Sequence, residues 1–269
     1  SLVRQVSAYL PGPSMRLRAE NAHLLNTWEV CIRYEQSNGF EFGRGASGVL
    51  KRDASALGER DAPSDTAGRI LAAGIDEFGR LGFAGASTSR IVEAAGCNVR
   101  MLYHYYSSKE GLYRAALERV YADLRQAERM LGFEERDPRD GLARFVAFTF
   151  DYMLEHPEFP RMMRVENLNE GRVVRAMPEI FDASRPLMPR LAGLVEAGIE
   201  QGVFRRRVAP EHLYLSILGL SFVHISNQHT AAALLGLDFD AAEFLAVRRA
   251  EAIALVLAGL QAEIATPVG

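Results

Sequence analysis

An all-α fold is predicted by three observations. Apolar residues recur every three or four positions through most of the chain from Asp65 to Glu263. No strand-like alternation persists. Prolines stand near the starts of several helical stretches, at Pro138, Pro157, Pro178 and Pro210, where a missing N–H costs nothing because the first turn has no partner for it. The order of these stretches predicts a small three-helix head followed by a larger helical body.

Residues 1–64 are the exception to the periodicity. Pro11, Pro13, the glycines between Gly39 and Gly48 and the charged stretch Lys51 to Asp65 interrupt it, although Ala19 to Tyr34 carries a short helical pattern around Leu24, Leu25, Trp28 and Ile32. This segment is read as a flexible or loosely packed N-terminal extension. An arm that touches DNA through Arg16, Arg18, Arg44, Lys51 and Arg52 is the alternative, and a small structured addition the third.

The head is expected over residues 65–113. Asp65 and Thr66 are N-cap candidates for its first helix, whose apolar face is Ile70, Leu71, Gly74, Ile75, Phe78 and Leu81 until Gly82 ends it. Two short helices then flank a glycine turn between Thr88 and Tyr106. Ser87 or Thr88 can cap the first of them, and Ala94 and Ala95 are small enough for a close crossing. Gly96 stands where a left-handed residue without a Cβ is cheapest, and Asn98 caps the second helix. The first turn of that helix carries Val99, Arg100 and Met101. In a helix-turn-helix those early residues face base edges in the major groove. A pair of ordinary core helices joined by a glycine turn has the same outline, so the turn alone does not decide.

The flanking residues carry more. Residues 66–113, TAGRILAAGIDEFGRLGFAGASTSRIVEAAGCNVRMLYHYYSSKEGLY, resemble the N-terminal domain of the tetracycline-repressor (TetR) family of transcriptional regulators. The pieces follow the family order: RILAAGIDEFGRLGF, then the Thr88 to Gly96 core, then Leu102-Tyr103-His104-Tyr105-Tyr106 and Ser108-Lys109-Glu110-Gly111-Leu112. The resemblance implies that Thr88, Tyr103 and Lys109 contact phosphates and that Asn98, Arg100 and Met101 lie at or near the bases, with His104 on the same helix counted among the DNA-binding residues. The chain departs from the family at Arg100 and Met101, where a small residue and then Thr or Ser are common. Arg100 could read guanine bidentately or only reach a phosphate.

Composition narrows the alternatives. The formal net charge is −3 and 48% of the 269 residues are hydrophobic, so a substantial core is available and no global basic field drives nucleic-acid binding. A local basic surface is expected instead from Arg90, Arg100, Lys109 and Arg114, against Glu93 and Glu110. The two cysteines, Cys31 and Cys97, make neither a disulfide scaffold nor a metal site. No run approaches the ~18 apolar residues of a membrane span, and a cytoplasmic location is expected. Phosphate-binding glycine loops, nucleophile elbows and zinc signatures are missing from the sequence. The protein is therefore expected to be no enzyme and to carry no cofactor and no metal.

The body, residues 114–269, reads as helices. Ser107 or Ser108 caps one that continues to about Leu131, with Leu112, Ala115, Ala116, Val120 and Leu124 as its stripe. Others are expected over Pro138 to Glu155, Pro157 to Asn169, Pro178 to Gln201, Pro210 to Gln228 and Ala241 to Glu263. The family pairs its last two helices with their mates across a two-fold axis. Here Leu213, Ile217, Leu220 and His224 form one stripe, and Phe244, Val247, Ala254, Leu257 and Leu260 another. A homodimer through these helices would carry two recognition helices to successive major grooves. Phe148, Tyr152, Arg164, Asn167, Phe222, His224 and Asn227 are the candidate pocket for an unknown small-molecule effector, with Arg164 suited to an anionic or carbonyl group. The sequence thus predicts a dimeric, ligand-responsive repressor of a palindromic double-stranded DNA operator. The alternative is a helical binding or scaffold protein whose helix-turn-helix no longer binds DNA.

Overall fold

The computed structural model describes residues 63–261. The expectations for the N-terminal arm and its basic residues, and for the last helix beyond Gln261, lie outside them. Helix α1 (Pro63–Gly85) buries Ile70 and Phe78 completely. At Gly74 the helix comes so close to Leu112 that a Cβ would lie 3.1 Å from its Cδ2. The expected face ends early, because Leu81 is 47% exposed. Gly82, at φ 69° and ψ 173°, breaks the helical run, and Phe83 beyond it folds back onto Phe78 and Tyr113, with ring centroids 6.2 and 5.3 Å away. The aromatic residue after the kink takes the place expected for Leu81.

Helices α2 (Thr88–Ala94) and α3 (Val99–Tyr106) follow. Gly96 adopts φ 62° between them, the left-handed conformation its position demands. Ala95 is buried at the crossing and Ala94 is exposed, so one small residue rather than two makes the close approach. The Asn98 side chain accepts from the Met101 amide, capping α3 as expected. Helix α4 (Lys109–Met130) is capped by Ser108, whose hydroxyl accepts from the Gly111 amide at 2.9 Å. A Cβ on Gly111 would collide with the Tyr106 carbonyl oxygen, so the short link between α3 and α4 requires glycine there. Leu112, Ala116, Val120 and Leu124 are buried along α4, with Ala115 half-buried.

The body continues with α5 (Pro138–Glu155), started by Asp137, which accepts from the Arg139 and Asp140 amides beside the proline. Then come α6 (Glu158–Leu168), α7 (Pro178–Ser184), α8 (Leu187–Glu200), α9 (Pro210–Ser226), α10 (Gln228–Leu235) and α11 (Ala242–Gln261). The single helix expected over 178–201 is two, divided at Pro186, which has no N–H for the ladder and whose ring opposes the carbonyl four residues back. Helix α10 lies, apart from Gln228, between the expected helices; it is short and buries none of its residues, so it leaves no periodic signal.

Helix α5 lies against α8, α9 and α11. One hydrophobic cluster runs from Ile70 of α1 through Leu112, Leu117 and Leu124 of α4 to Phe159 and Met162 of α6 and Ile180 of α7. Helix α6 rests on α1. A Cβ on Gly79 would lie 3.2 Å from the Arg161 Cβ, and Val165 lies beside Gly82. Arg161 also faces Asp76 at 3.9 Å. The described residues form no strand.

Candidate nucleic-acid interface and body site

The orientation of α3 is fixed from beneath. Leu102 is fully buried, Tyr105 and Tyr106 are half-buried, and the Tyr106 hydroxyl donates to the Ala67 carbonyl at 2.7 Å. The opposite face presents Val99, Arg100, Tyr103 and His104 to solvent. Asn98 is exposed and also serves as the cap, while Met101 is half-buried against the core. Thr88 opens α2 and is half-buried. Lys109 opens α4 with its Nζ 4.8 Å from the Phe83 ring centroid. The structure thus brings Arg100, Tyr103 and His104 onto one exposed face, flanked by Thr88 and Lys109 at helix starts.

The basic surface is narrower than the sequence suggested. Arg90 is committed to the fold, its Nε donating to Glu77 at 2.7 Å and its Nη2 to the Gly85 carbonyl at 2.8 Å. Glu77 also accepts from the Ser87 amide at 2.9 Å. That carboxylate, rather than a Ser87 or Thr88 side chain, satisfies the start of α2. Burial pushes the Glu77 carboxyl up, but the Arg90 and Ser87 hydrogen bonds and the charges of Arg90 and Arg80 together hold it below its usual value. Arg114 donates to the Ala176 carbonyl at 3.2 Å. Of the four cations, Arg100 makes no ion pair or hydrogen bond among the described residues, and Lys109 has only the Phe83 ring.

In the body, the structure separates the expected pocket residues. Tyr152 is buried with Phe148 beside it, ring centroids 5.5 Å apart, and Phe148 and Phe222 pack half-buried against the core. His224 is buried and stacks on Phe150 at 4.8 Å. Arg164, Asn167 and Asn227 are exposed. Asn167 donates to the Met163 carbonyl of its own helix at 2.8 Å, and Asn227 closes the end of α9. The structure therefore does not bring these three polar residues to the aromatic ones.

A different polar group lies inside. Arg125 and Glu128 of α4 are buried, with Nη1 donating to the Glu128 carboxylate at 2.5 Å and Nη2 to the Tyr214 hydroxyl at 3.2 Å. Sequence reasoning passed over them. The available signal was an Arg and a Glu three residues apart on the apolar stripe that Leu117 and Leu124 define. Burial raises the Glu128 carboxyl even against Arg125. Burial also raises the Tyr121 and Tyr214 hydroxyls, and with the charges of Asp123, Glu158 and Glu128 pushes Tyr152 up to about 12. Four buried side-chain atoms have no hydrogen-bond partner among the described residues: Arg125 Nε, Ser221 Oγ and both ring nitrogens of His224. Burial, then the charge of Arg248, pushes the His224 imidazole down to about 4.

The stripes expected to pair two subunits are only partly outward: Val247 is exposed, Leu220, Phe244 and Ala254 are half-buried, and the rest face inward. Leu213, Ile217 and His224 of α9 and Leu257 and Leu260 of α11 are buried within the chain. The apolar residues that α9 and α11 turn outward are Leu215 and Val223, and Val247 and Leu255. Helix α9 is apolar nearly all round, so its spacing cannot separate the two faces.

Two short helices about a glycine turn, the second capped by Asn98, in a three-helix head joined to a helical body define a helix-turn-helix protein. Residues 70–116 match the family model for bacterial regulatory proteins of the tetR family, and residues 138–256 match the tetracyclin repressor-like C-terminal domain. The HTH-type transcriptional repressor NicS of Pseudomonas putida is 36% identical over 173 residues, which span 64% of this chain and 82% of NicS. The HTH-type transcriptional repressor SCO4008 of Streptomyces coelicolor is 30% identical over 156 residues, spanning 58% of this chain and 76% of its own length. A bacterial regulatory protein of the tetR family from Rhodococcus RHA1 shares the fold, with a TM-score of 0.58 and 20% identity over 74% of this chain and 98% of that one. The chain belongs to the TetR family and is a ligand-responsive, DNA-binding transcriptional regulator. Among the described residues no helix is long and apolar enough to cross a membrane.

Proposed function

We propose that this protein is a homodimeric cytoplasmic repressor, with a DNA-binding head over 65–113 and a body over 114–269 that binds an effector and dimerises. The observation that carries the reading is the exposed Arg100, Tyr103 and His104 face of α3, held by the buried Leu102 and the Asn98 cap. Arg100 reads base edges with Met101 and Asn98 close by; Thr88, Tyr103 and Lys109 position the head on phosphates. One short helix reads one half-site, so a palindromic operator needs two subunits. The outward Leu215, Val223, Val247 and Leu255 of α9 and α11 supply an apolar surface for the second copy. The names of NicS and SCO4008 support repression over activation. An unknown small molecule in the body releases the operator by binding the released state more tightly than the DNA-bound one.

Selection of bound fragments from a random duplex library, followed by a salt titration of the selected site, tests this function. A palindrome should be enriched, with log affinity falling linearly against log salt as counterions are released. No enrichment at low salt by folded dimer, with and without candidate effectors, would leave the scaffold alternative standing.

A further inference from the structure

We propose that the effector is a small planar carboxylate, received by the lateral edge of the Arg125 guanidinium and packed against the aromatic rings of Tyr121, Phe148 and Tyr152. The inference rests on the reading of the body as the effector site. A guanidinium offers its five N–H groups in a rigid fork with two bidentate edges. Glu128 takes Nη1 at 2.5 Å. The remaining edge, Nε with Nη2, carries only the 3.2 Å bond from Nη2 to the Tyr214 hydroxyl, and Nε has no partner among the described residues. A buried, unpaired donor on a charged group is costly, and one planar acceptor with two oxygens satisfies that whole edge.

Three phenol hydroxyls near Arg125 can donate, although the charges of Asp123, Glu158 and Glu128 also reach Tyr152. Tyr214 accepts from Arg125 and so keeps its own proton to give. The hydroxyls of Tyr121 and Tyr152 make no hydrogen bond among the described residues, and the Arg125 charge acts on all three phenols. Aromatic rings flank these hydroxyls, with one face of Tyr152 covered by His156 at a centroid distance of 4.1 Å. Tyr121 meets Phe159 edge-on with centroids 5.3 Å apart, and Phe148 lies 5.5 Å from Tyr152. These groups come from α4, α5, α6 and α9, so one ligand would touch the helix that leads out of the head together with three others of the body. A carboxylate on the Nε–Nη2 edge leaves the Glu128 bond on Nη1 in place, so the ligand is held by the same α4 side chain that Glu128 anchors.

Isothermal titration of the full chain with benzoate, 4-hydroxybenzoate and benzamide tests the assignment without any substitution. The carboxylates should bind at least about tenfold tighter than the amide, which has the same shape and no charge. Arg125→Lys, which keeps the charge and removes the planar edge, should cost the carboxylates about tenfold or more with helicity unchanged. Equal affinity for acid and amide, or no heat from either up to about 10 mM, overturns the anchor, as it would if the edge held only a water. Displacement of selected operator DNA separates the two levels. Release by benzamide with the acids inert overturns the anchor and leaves the effector reading intact, whereas carboxylate binding by a chain that selects no operator supports the anchor and removes the regulator reading.

Discussion

The head and the body treat buried polar groups in opposite ways. In the head, Glu77 gathers the Ser87 amide and Arg90, and the Tyr106 hydroxyl finds the Ala67 carbonyl. Among the described residues, the four unpartnered buried side-chain atoms all lie in the body, on α4 and α9. A surface that must match a rigid duplex gains from being fully satisfied before it meets its target. An interior that exchanges its contacts with a ligand gains from polar atoms left uncommitted, and their desolvation cost is recovered on binding.

Substitutions can break this contrast, and the largest loss of stability is expected at Arg125. Arg125→Ala leaves Glu128 buried without its partner and should cost about 3–5 kcal/mol in urea unfolding, while Arg125→Met with Glu128→Leu recovers most of it. A single variant no less stable than the double would show that the pair does not matter to the fold. In the head, Glu77→Gln weakens two interactions at once and should cost about 1.5–3 kcal/mol. The Glu77 carboxyl is held below its ordinary 4.5, so its contribution is full above that pH and disappears as pH falls through the lower folded value. Acid unfolding curves of the Gln variant should lack that part of the slope.

The next effect is smaller and opposite in sign. His224→Phe replaces two unpartnered nitrogens with carbon between the Phe150 and Phe244 rings, and should raise stability at pH 7 by about 1 kcal/mol. The His224 pKa is depressed from 6.5 to about 4. Its neutral form is therefore at no disadvantage above pH 6.5, and stability is lost as pH falls from there toward 4. Thermal melts across that window should be flatter for the Phe variant; an unchanged slope would place the titration elsewhere. Arg100→Ala should move stability least, within about 0.5 kcal/mol. It should nevertheless weaken operator binding by roughly 10- to 100-fold, and unchanged DNA affinity would remove Arg100 from the interface.

The same contrast explains what the sequence disclosed. Head architecture rests on local rules: Gly96 at positive φ, Asn98 and Ser108 as caps, and Leu102 as the buried residue of a short helix are each legible from a few adjacent residues. The body depends on which side of each helix finds a neighbour. Arg164 and Asn167 share an amphipathic helix with buried Met162 and Val165, yet point to solvent. Helix α9 is apolar on all sides, so Leu213 and Leu215 look alike in sequence although one is core and the other surface. Arg125 and Glu128 were legible only as charges out of place on a stripe, and Tyr214, 89 residues away, gives that position its meaning.

Helix α6 seated on α1 also constrains how such regulators can be recombined. The Tyr113 hydroxyl donates to Glu166 at 2.9 Å, and the same carboxylate accepts from the Val173 and Val174 amides. A chimera that joined this head to a foreign body at the end of α3 would discard Glu166 and uncover Gly79 and Gly82. The head is consequently not a cassette. Grafting its operator preference onto another sensor requires transplanting either the exposed side chains of α3 alone or the head together with α4, α6 and the loop that Glu166 ties down.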